Sequence, residues 1–344
     1  MENVTGESGD LGNGIADSAV YSCFVTGGTG FLGLNLVEQL VRQGWHVTAL
    51  HRPTSVLTYL KRQPVDLVVG DIEDRERIRE VMPEGLTAVF HVAADVSHWS
   101  RNAGRLERSN VDGTRNVVAA ALARGARKLI HTSSTSVYGY PAGPFDETAP
   151  RLGASPRNHY ARSKALAEAE VQKGIDRGLD AVILNPANIM GAYDIRNWAR
   201  MFQMVANGRL PGLPPGRGSF CHAVEVAKAH VSAVKRGRTG ERYLLGGADA
   251  SYLEVAQQIA SLLGKRPNFR RIPAPVVAAG ARVAVLMSLW NAREPWITPE
   301  IAALMSRDVL CKSNKAIREL GYRPASLETM LEDSYRWLKT ERLI

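Results

Sequence analysis

Through the first half of the chain, short apolar runs alternate with stretches in which apolar side chains recur at helical spacing. YSCFVTGG precedes a helical pattern over Leu34 to Gln43, and WHVTALHR stands without one. VDLVVGD precedes Arg75 to Val81, TAVFHVAA precedes Val111 to Arg124, KLIHTSS precedes Tyr160 to Lys173, and DAVILNP ends the series. Each parallel crossover must travel back over the sheet, so this alternation predicts a doubly wound α/β fold, a parallel sheet with helices on both faces. The continuous apolar runs VDLVV and AVILN read as strands buried on both sides.

The pattern changes after Pro186. Gly208 to Gly218 is dense in Gly and Pro and reads as a loop, HAVEVAKAHVSAV has helical spacing, RYLLGG is a short strand, and helices dominate from Ser251 onward. The expected organisation is a flexible tail over 1–20, a first domain over 21–191 and a smaller, mainly helical lobe over 192–344, in which 221–247 returns to the sheet. Ala274 to Trp290 is almost wholly apolar, but it contains Arg282 and is shorter than the ~20 residues of a bilayer span. It reads as a buried or pocket-covering helix, with contact to a membrane surface or a lipid-like ligand as the alternative.

Composition narrows the partners. A chain of 344 residues with 45% hydrophobic and 22% charged residues reads as soluble and globular. Net charge +9 favours an anionic ligand, yet the basic residues are spread along the chain apart from clusters such as KRPNFRR, and no nucleic-acid motif accompanies them. Nucleic acid is therefore not an expected partner. Cys23, Cys221 and Cys311 lie far apart, which indicates neither a disulfide framework nor a zinc site and fits a reducing, cytoplasmic compartment. The opening MENVTGESGDLGNGIADS has no apolar run, so no signal peptide is read there, and the sequon at Asn3 carries no weight.

The chemistry begins at VTGGTGFLG, between the first strand and the first helix. It satisfies two spacings, Gly28-x-Gly30-x-x-Gly33 and Gly27-x-x-Gly30-x-x-Gly33. Either places glycine where a tight turn forms and where backbone approaches a pyrophosphate. Phe31, Leu32 and Gly33 then open a helix whose free N–H groups face the anion. This is a Rossmann dinucleotide site by pattern. Asp71-Ile72 and Ala93-Ala94 end the third and fourth strands; Asp71 is placed either to accept from an adenine amino group or to cap the next helix, and Ala93-Ala94 let a cofactor pass close to backbone.

Tyr160 and Lys164 stand four apart at the start of a helix, on one face. An unperturbed phenol, with pKa about 10, is only ~0.1% ionised at pH 7, a deficit of roughly 4 kcal/mol that a neighbouring ammonium reduces. Tyr335 and Lys339 repeat the spacing in the last helix without strands around them, and are assigned to packing. The strand end HTSSTSVYG supplies hydroxyls, with Ser134 chosen to hold a substrate carbonyl and Ser133 or Thr135 as the fallback. Asn110 either holds a water linking Lys164 to solvent or caps the fourth helix.

Together TGGTGFLG, the DI and AA strand ends, TSSTSVYG, YARSK and NPANIMG resemble the extended short-chain dehydrogenase/reductase family, within the NAD-dependent epimerase/dehydratase superfamily, over residues 22 to 340. The chain is similar to its bacterial dihydroflavonol reductase-like branch, which includes relatives of 3β-hydroxysteroid dehydrogenases, 3-ketoacid reductases and hopanoid-associated sugar epimerases. The resemblance implies a catalytic group of Ser134, Tyr160 and Lys164 supported by Asn110. It implies cofactor contacts at Ser133, Tyr160 and Lys164 and along Pro186 to Gly191, including Ile189, and a homodimer through the helices holding Val111 and Tyr160. Glu225 stands where relatives usually carry Asp, and VSHWSR, Val96 to Arg101, matches no single substrate class.

His51 and Arg52 end the second strand about twenty residues beyond the glycine loop, where a ribose-binding carboxylate is usual. Arg52 offers a planar fork suited to a 2′-phosphate, so NADPH is expected over NADH, with His51 a minor partner. The leading expectation is an NADPH-dependent reductase of a ketone or aldehyde on a fairly apolar small molecule, with Tyr160 as the acid. An NAD-retaining nucleotide-sugar epimerase or dehydratase is second, and a non-catalytic NAD(P)-binding regulator third.

Overall fold

Alternation along the first strand sets the two faces of the sheet: in β1 (Ser22–Thr26), Cys23 and Val25 join one core and Phe24 the other. A computed structural model describes residues 21–155, 158–210, 212–266, 269–291 and 294–344. The expected tail over 1–20 lies outside the described residues.

After β1 come α1 (Phe31–Arg42), β2 (His46–His51), β3 (Asp66–Val69), α2 (Arg75–Val81) and β4 (Ala88–His91). The short α3 (Ala103–Leu106) continues through a π-helical turn, Glu107–Asp112, into α4 (Gly113–Ala123), followed by β5 (Leu129–Thr132), α5 (His159–Ile175) and β6 (Ala181–Pro186). Next are β7 (Asn188–Met190), α6 (Trp198–Ala206), β8 (Arg217–His222), α7 (Ala223–Arg236), β9 (Arg242–Leu245) and β10 (Ala248–Ser251). The remainder is α8 (Tyr252–Leu262), α9 (Ala274–Asn291), α10 (Pro299–Met305), β11 (Asp308–Val309), α11 (Asn314–Leu320) and α12 (Leu327–Thr340).

Among the described residues the main sheet has seven strands in the order β3-β2-β1-β4-β5-β6-β9, all parallel. The doubly wound α/β class is as expected. On one face Leu36, Val37 and Leu40 of α1 share a core with Val226 and Ala227 of α7; on the other, Ile78 of α2, Val117 and Val118 of α4 and Val171 of α5 pack together. Each such side chain contributes roughly 1.5–3 kcal/mol when fully buried. The strand order reverses between β1 and β4, which opens a crevice at their carboxyl ends.

Three expectations change. VDLVV is not a strand buried on both sides: β3 is the edge of the sheet and Val69 is 43% exposed, whereas β6 is buried throughout. The lobe beyond residue 191 is not helical alone. β8 pairs with β7, β10 and β11 in a second small sheet, whose segments RGSFCH and ADAS are too short and polar to announce themselves. Finally, α9 is not a buried helix: Val277, Ala281 and Ser288 face inward, while Val276, Val283, Leu286, Met287 and Trp290 are exposed.

The last helix returns to the start of the chain. Arg62 pairs with Glu341 at 2.8 Å, and Trp337 packs its ring against Tyr59 and Tyr193.

Candidate active site

Gly27 adopts φ 76°, and a Cβ there would lie 2.5 Å from the Ala93 nitrogen; one on Gly33 would lie 2.0 Å from the Gly27 carbonyl oxygen. A Cβ on Gly28 would meet only ordinary contacts, the nearest at 3.5 Å. Of the two glycine spacings, Gly27-x-x-Gly30-x-x-Gly33 is therefore the one that sterics demand. Gly30 donates to the Gly27 carbonyl at 3.0 Å and caps α1 with no side-chain hydrogen bond, which leaves the N–H groups of the first turn, Phe31 to Gly33, for an anion. Loop, uncapped helix and the neighbouring Ala93 form a cradle that side chains would fill, and these residues fit a dinucleotide pyrophosphate. Leu32 is buried, Phe31 half-buried and Ala94 exposed.

At the end of β2 the backbone of Arg52 and the Ser55 hydroxyl close a turn at 3.1 Å, and His51 Nδ1 donates to the Arg52 carbonyl at 3.0 Å. Among the described residues the Arg52 guanidinium makes no ion pair and is exposed. Asp71 accepts from the Glu73 N–H at 3.1 Å, while the cap of α2 is Asp74, which accepts from Arg77 at 3.0 Å. The capping alternative for Asp71 is thus corrected, because the chain makes one more turn before the helix starts. Ile72 is buried and its carbonyl accepts from Asn116 at 3.0 Å.

Asn158 caps α5 by accepting from Ala161 at 2.9 Å, which fixes Tyr160 in the first turn and Lys164 one turn on. The phenol of Tyr160 stands beside Ser134, whose backbone is extended just after β5. Burial pushes the Tyr160 pKa up, with Ser134 pulling it down and Asp95 pushing it up. Lys164 is buried and donates to the Thr132 carbonyl at 2.7 Å, and burial brings its pKa down to about 8 against the opposing pull of Glu168. Desolvation is the largest influence on the Tyr160 phenol here, and the Lys164 ammonium is held by a backbone carbonyl.

Two further expectations are refined. Ser133 donates to Glu168 at 2.6 Å and is buried, so Ser134 is the hydroxyl left beside Tyr160. Asn110 is no cap: it lies inside the π-helical turn, accepts from the Asp95 N–H at 2.7 Å, and donates to the Asp95 carbonyl and to Ser163 at 2.9 Å each. The wide turn points Asn110 inward, where it fixes the loop after Ala94 against α5. Pro186 ends β6, and Ile189 lies half-buried in β7.

Sequence reasoning missed two residues. His98, from the unmatched VSHWSR loop, places its ring centroid 4.9 Å from that of Tyr160. Glu168 is wholly buried and also accepts from Asn185 at 2.7 Å, Arg242 at 2.9 Å and Arg151 at 3.2 Å. Its signal was available, since it follows Lys164 by four residues on the same helix face. The sequence marked His98 only through its loop, VSHWSR, which by position faces the pocket.

The model of the NAD dependent epimerase/dehydratase family matches residues 23–246, and the chain belongs to that family. It is an NAD(P)-dependent oxidoreductase of the extended short-chain dehydrogenase/reductase type. A Synechocystis protein provisionally named dihydroflavonol 4-reductase is 31% identical, over 93% of this chain and 96% of its own. The 4-hydroxy-2-methyl-3-oxo-4-farnesyl-3,4-dihydroquinoline-1-oxide ketoreductase of Stigmatella aurantiaca is 33% identical over 87% of this chain and 91% of its own. The crystal structure of gox2253 superposes with a TM-score of 0.81 and 30% identity, covering 93% of this chain and 98% of that one.

Proposed function

We propose that the protein is an NADPH-dependent reductase of a ketone or aldehyde on a fairly apolar small molecule. The observation that carries this reading is the juxtaposition of Ser134 with Tyr160, one helical turn from a buried Lys164, at the edge of the sheet that the glycine loop also reaches. A carbonyl oxygen placed between the two hydroxyls receives a hydrogen bond from each. Ser134 holds it, and Tyr160 gives it a proton as the carbon is reduced. Lys164, kept in place by the Thr132 carbonyl, stabilises the phenolate left behind. When bound, NADPH supplies the hydride. Its 2′-phosphate suits the exposed guanidinium of Arg52, which has no ion-pair partner among the described residues.

The apolar character of the substrate is supported by the farnesyl-bearing substrate named for the Stigmatella relative. The test is a panel of lipophilic ketones and aldehydes with NADPH. Consumption of NADPH with at least one member is expected. Release of tightly bound NAD⁺ on denaturation, with no turnover of any carbonyl, would overturn the reading in favour of the epimerase.

A further inference from the structure

The outer side of α9 carries an unbroken apolar stripe. At about 100° per residue, Val276, Val283, Leu286, Met287 and Trp290 fall on one face of the helix, with Ala279 and Gly280 between them. All are exposed, Trp290 by 93%. The opposite stripe is already spent: Val277 and Ala281 pack with Ile297 and Ala302. A continuous exposed patch of this kind is rare on a soluble monomer and marks a contact surface.

Charge says what the contact is. Between Glu254 and Glu294 the sequence contains no acidic residue, but it has Lys265, Arg266, Arg270, Arg271, Arg282 and Arg293. Of these, Lys265, Arg266, Arg270 and Arg271 are exposed on the segment leading into α9, and Arg282 is exposed at the rim of the stripe. An apolar face ending in tryptophan, approached by a basic segment, matches the interface of an anionic bilayer. No helix among the described residues is long and apolar enough to cross a membrane, which leaves the surface. The stripe also ends near the site. Glu294 accepts from Ser97 at 2.6 Å, next to the His98 that stands against Tyr160.

We propose that α9 is a docking helix for an anionic membrane surface, lying in the plane of the interface with its stripe among the upper acyl chains and the basic segment on the lipid phosphates. This goes beyond the reductase reading and its test needs no turnover.

The experiment is co-sedimentation of the full chain with vesicles of phosphatidylglycerol and phosphatidylcholine, and with phosphatidylcholine alone. Binding to the anionic vesicles, weakened by salt and at least tenfold weaker on phosphatidylcholine, is expected. The triple variant Leu286→Ser, Met287→Ser, Trp290→Ser should lose that binding with its unfolding temperature unchanged. Arg270→Glu with Arg271→Glu, which leaves the stripe intact, should weaken it as well. The proposal is overturned by absence of binding to anionic vesicles, by equal binding of both variants, or by a vesicle-free dimer that the triple variant abolishes, which would assign the stripe to a second copy of the chain.

Discussion

Ser133 donates to Glu168 across 2.6 Å with both side chains buried, and this bond ties the strand end that carries Ser134 to the helix that carries Tyr160 and Lys164. Glu168→Ala strands Ser133, Asn185 and Arg242 without their shared acceptor. It should cost about 3–5 kcal/mol, read from urea unfolding. Glu168→Gln keeps the shape and removes the charge that holds the Lys164 ammonium up. Reduction needs that ammonium protonated, so wild-type kcat should fall as pH rises through about 8, and the fall should begin at lower pH in the Gln variant. Superimposable pH profiles would remove Glu168 from the site's electrostatics.

Tyr160→Phe should lower kcat by at least about 10²-fold, the usual contribution of a general acid, with cofactor binding retained. Tyr335→Phe is the control. Tyr335 is half-buried against the lobe core, with Lys339 over its ring at 5.6 Å, and its loss should leave kcat within twofold or so. If the control were the inactive variant, the chemistry would belong to the other tyrosine–lysine pair.

Arg52→Asp sets a carboxylate where an exposed guanidinium now stands. KM for NADPH should rise by one to two orders of magnitude, in the range of a lost charge-assisted pair, while KM for NADH falls or holds. Equal changes for both cofactors would make Arg52 an ordinary surface charge.

His131 is wholly buried in β5, and neither ring nitrogen has a partner among the described residues. Burial first, then Lys164, His91 and His230, hold its pKa well below 6.5. The folded protein therefore keeps this ring neutral while the unfolded chain protonates it near 6.5, so stability is lost as pH falls below that value. His91, brought down to about 3, and His230, to about 4, act with the same sign. Replacing the unpaired ring by His131→Leu should raise stability by about 1–3 kcal/mol and flatten the decline between pH 6.5 and about pH 5. Unfolding temperatures that track the wild type across this interval would show that His131 takes up no proton on unfolding.

The sheet was legible because it is built from short apolar runs whose regular alternation with helical patterns leaves little freedom. Six of the main-sheet strands and the helices after β1, β3, β4 and β5 announce themselves before Pro186, and RYLLGG supplies the seventh strand. The glycine loop and the Tyr160–Lys164 pair were legible because their spacing is local. What escaped depends on distance. His98 reaches Tyr160 only because a loop after β4 folds over α5, and β8 forms its sheet only because three separated segments pair with it. The cap alternative for Asn110 fails because a π-helical turn, which has no compositional signature, takes up that position, and Asp74 displaces Asp71 as the cap of α2 by a single turn of chain.

The contact of Arg62 with Glu341 spans 279 positions, and Tyr59 and Trp337 close across a similar interval. At roughly 5–20 residues per second of synthesis, the earlier partners wait tens of seconds on the ribosome for the later ones. During that time β6 offers an unpaired edge until β9 emerges, and the ring of Tyr59 lacks its cover until the final helix arrives. The nascent chain therefore passes through a long interval in which a chaperone or a neighbouring nascent chain finds the open side of the sheet, and cellular yield should respond to translation speed between Pro186 and Trp337 more than to the stability of the finished enzyme.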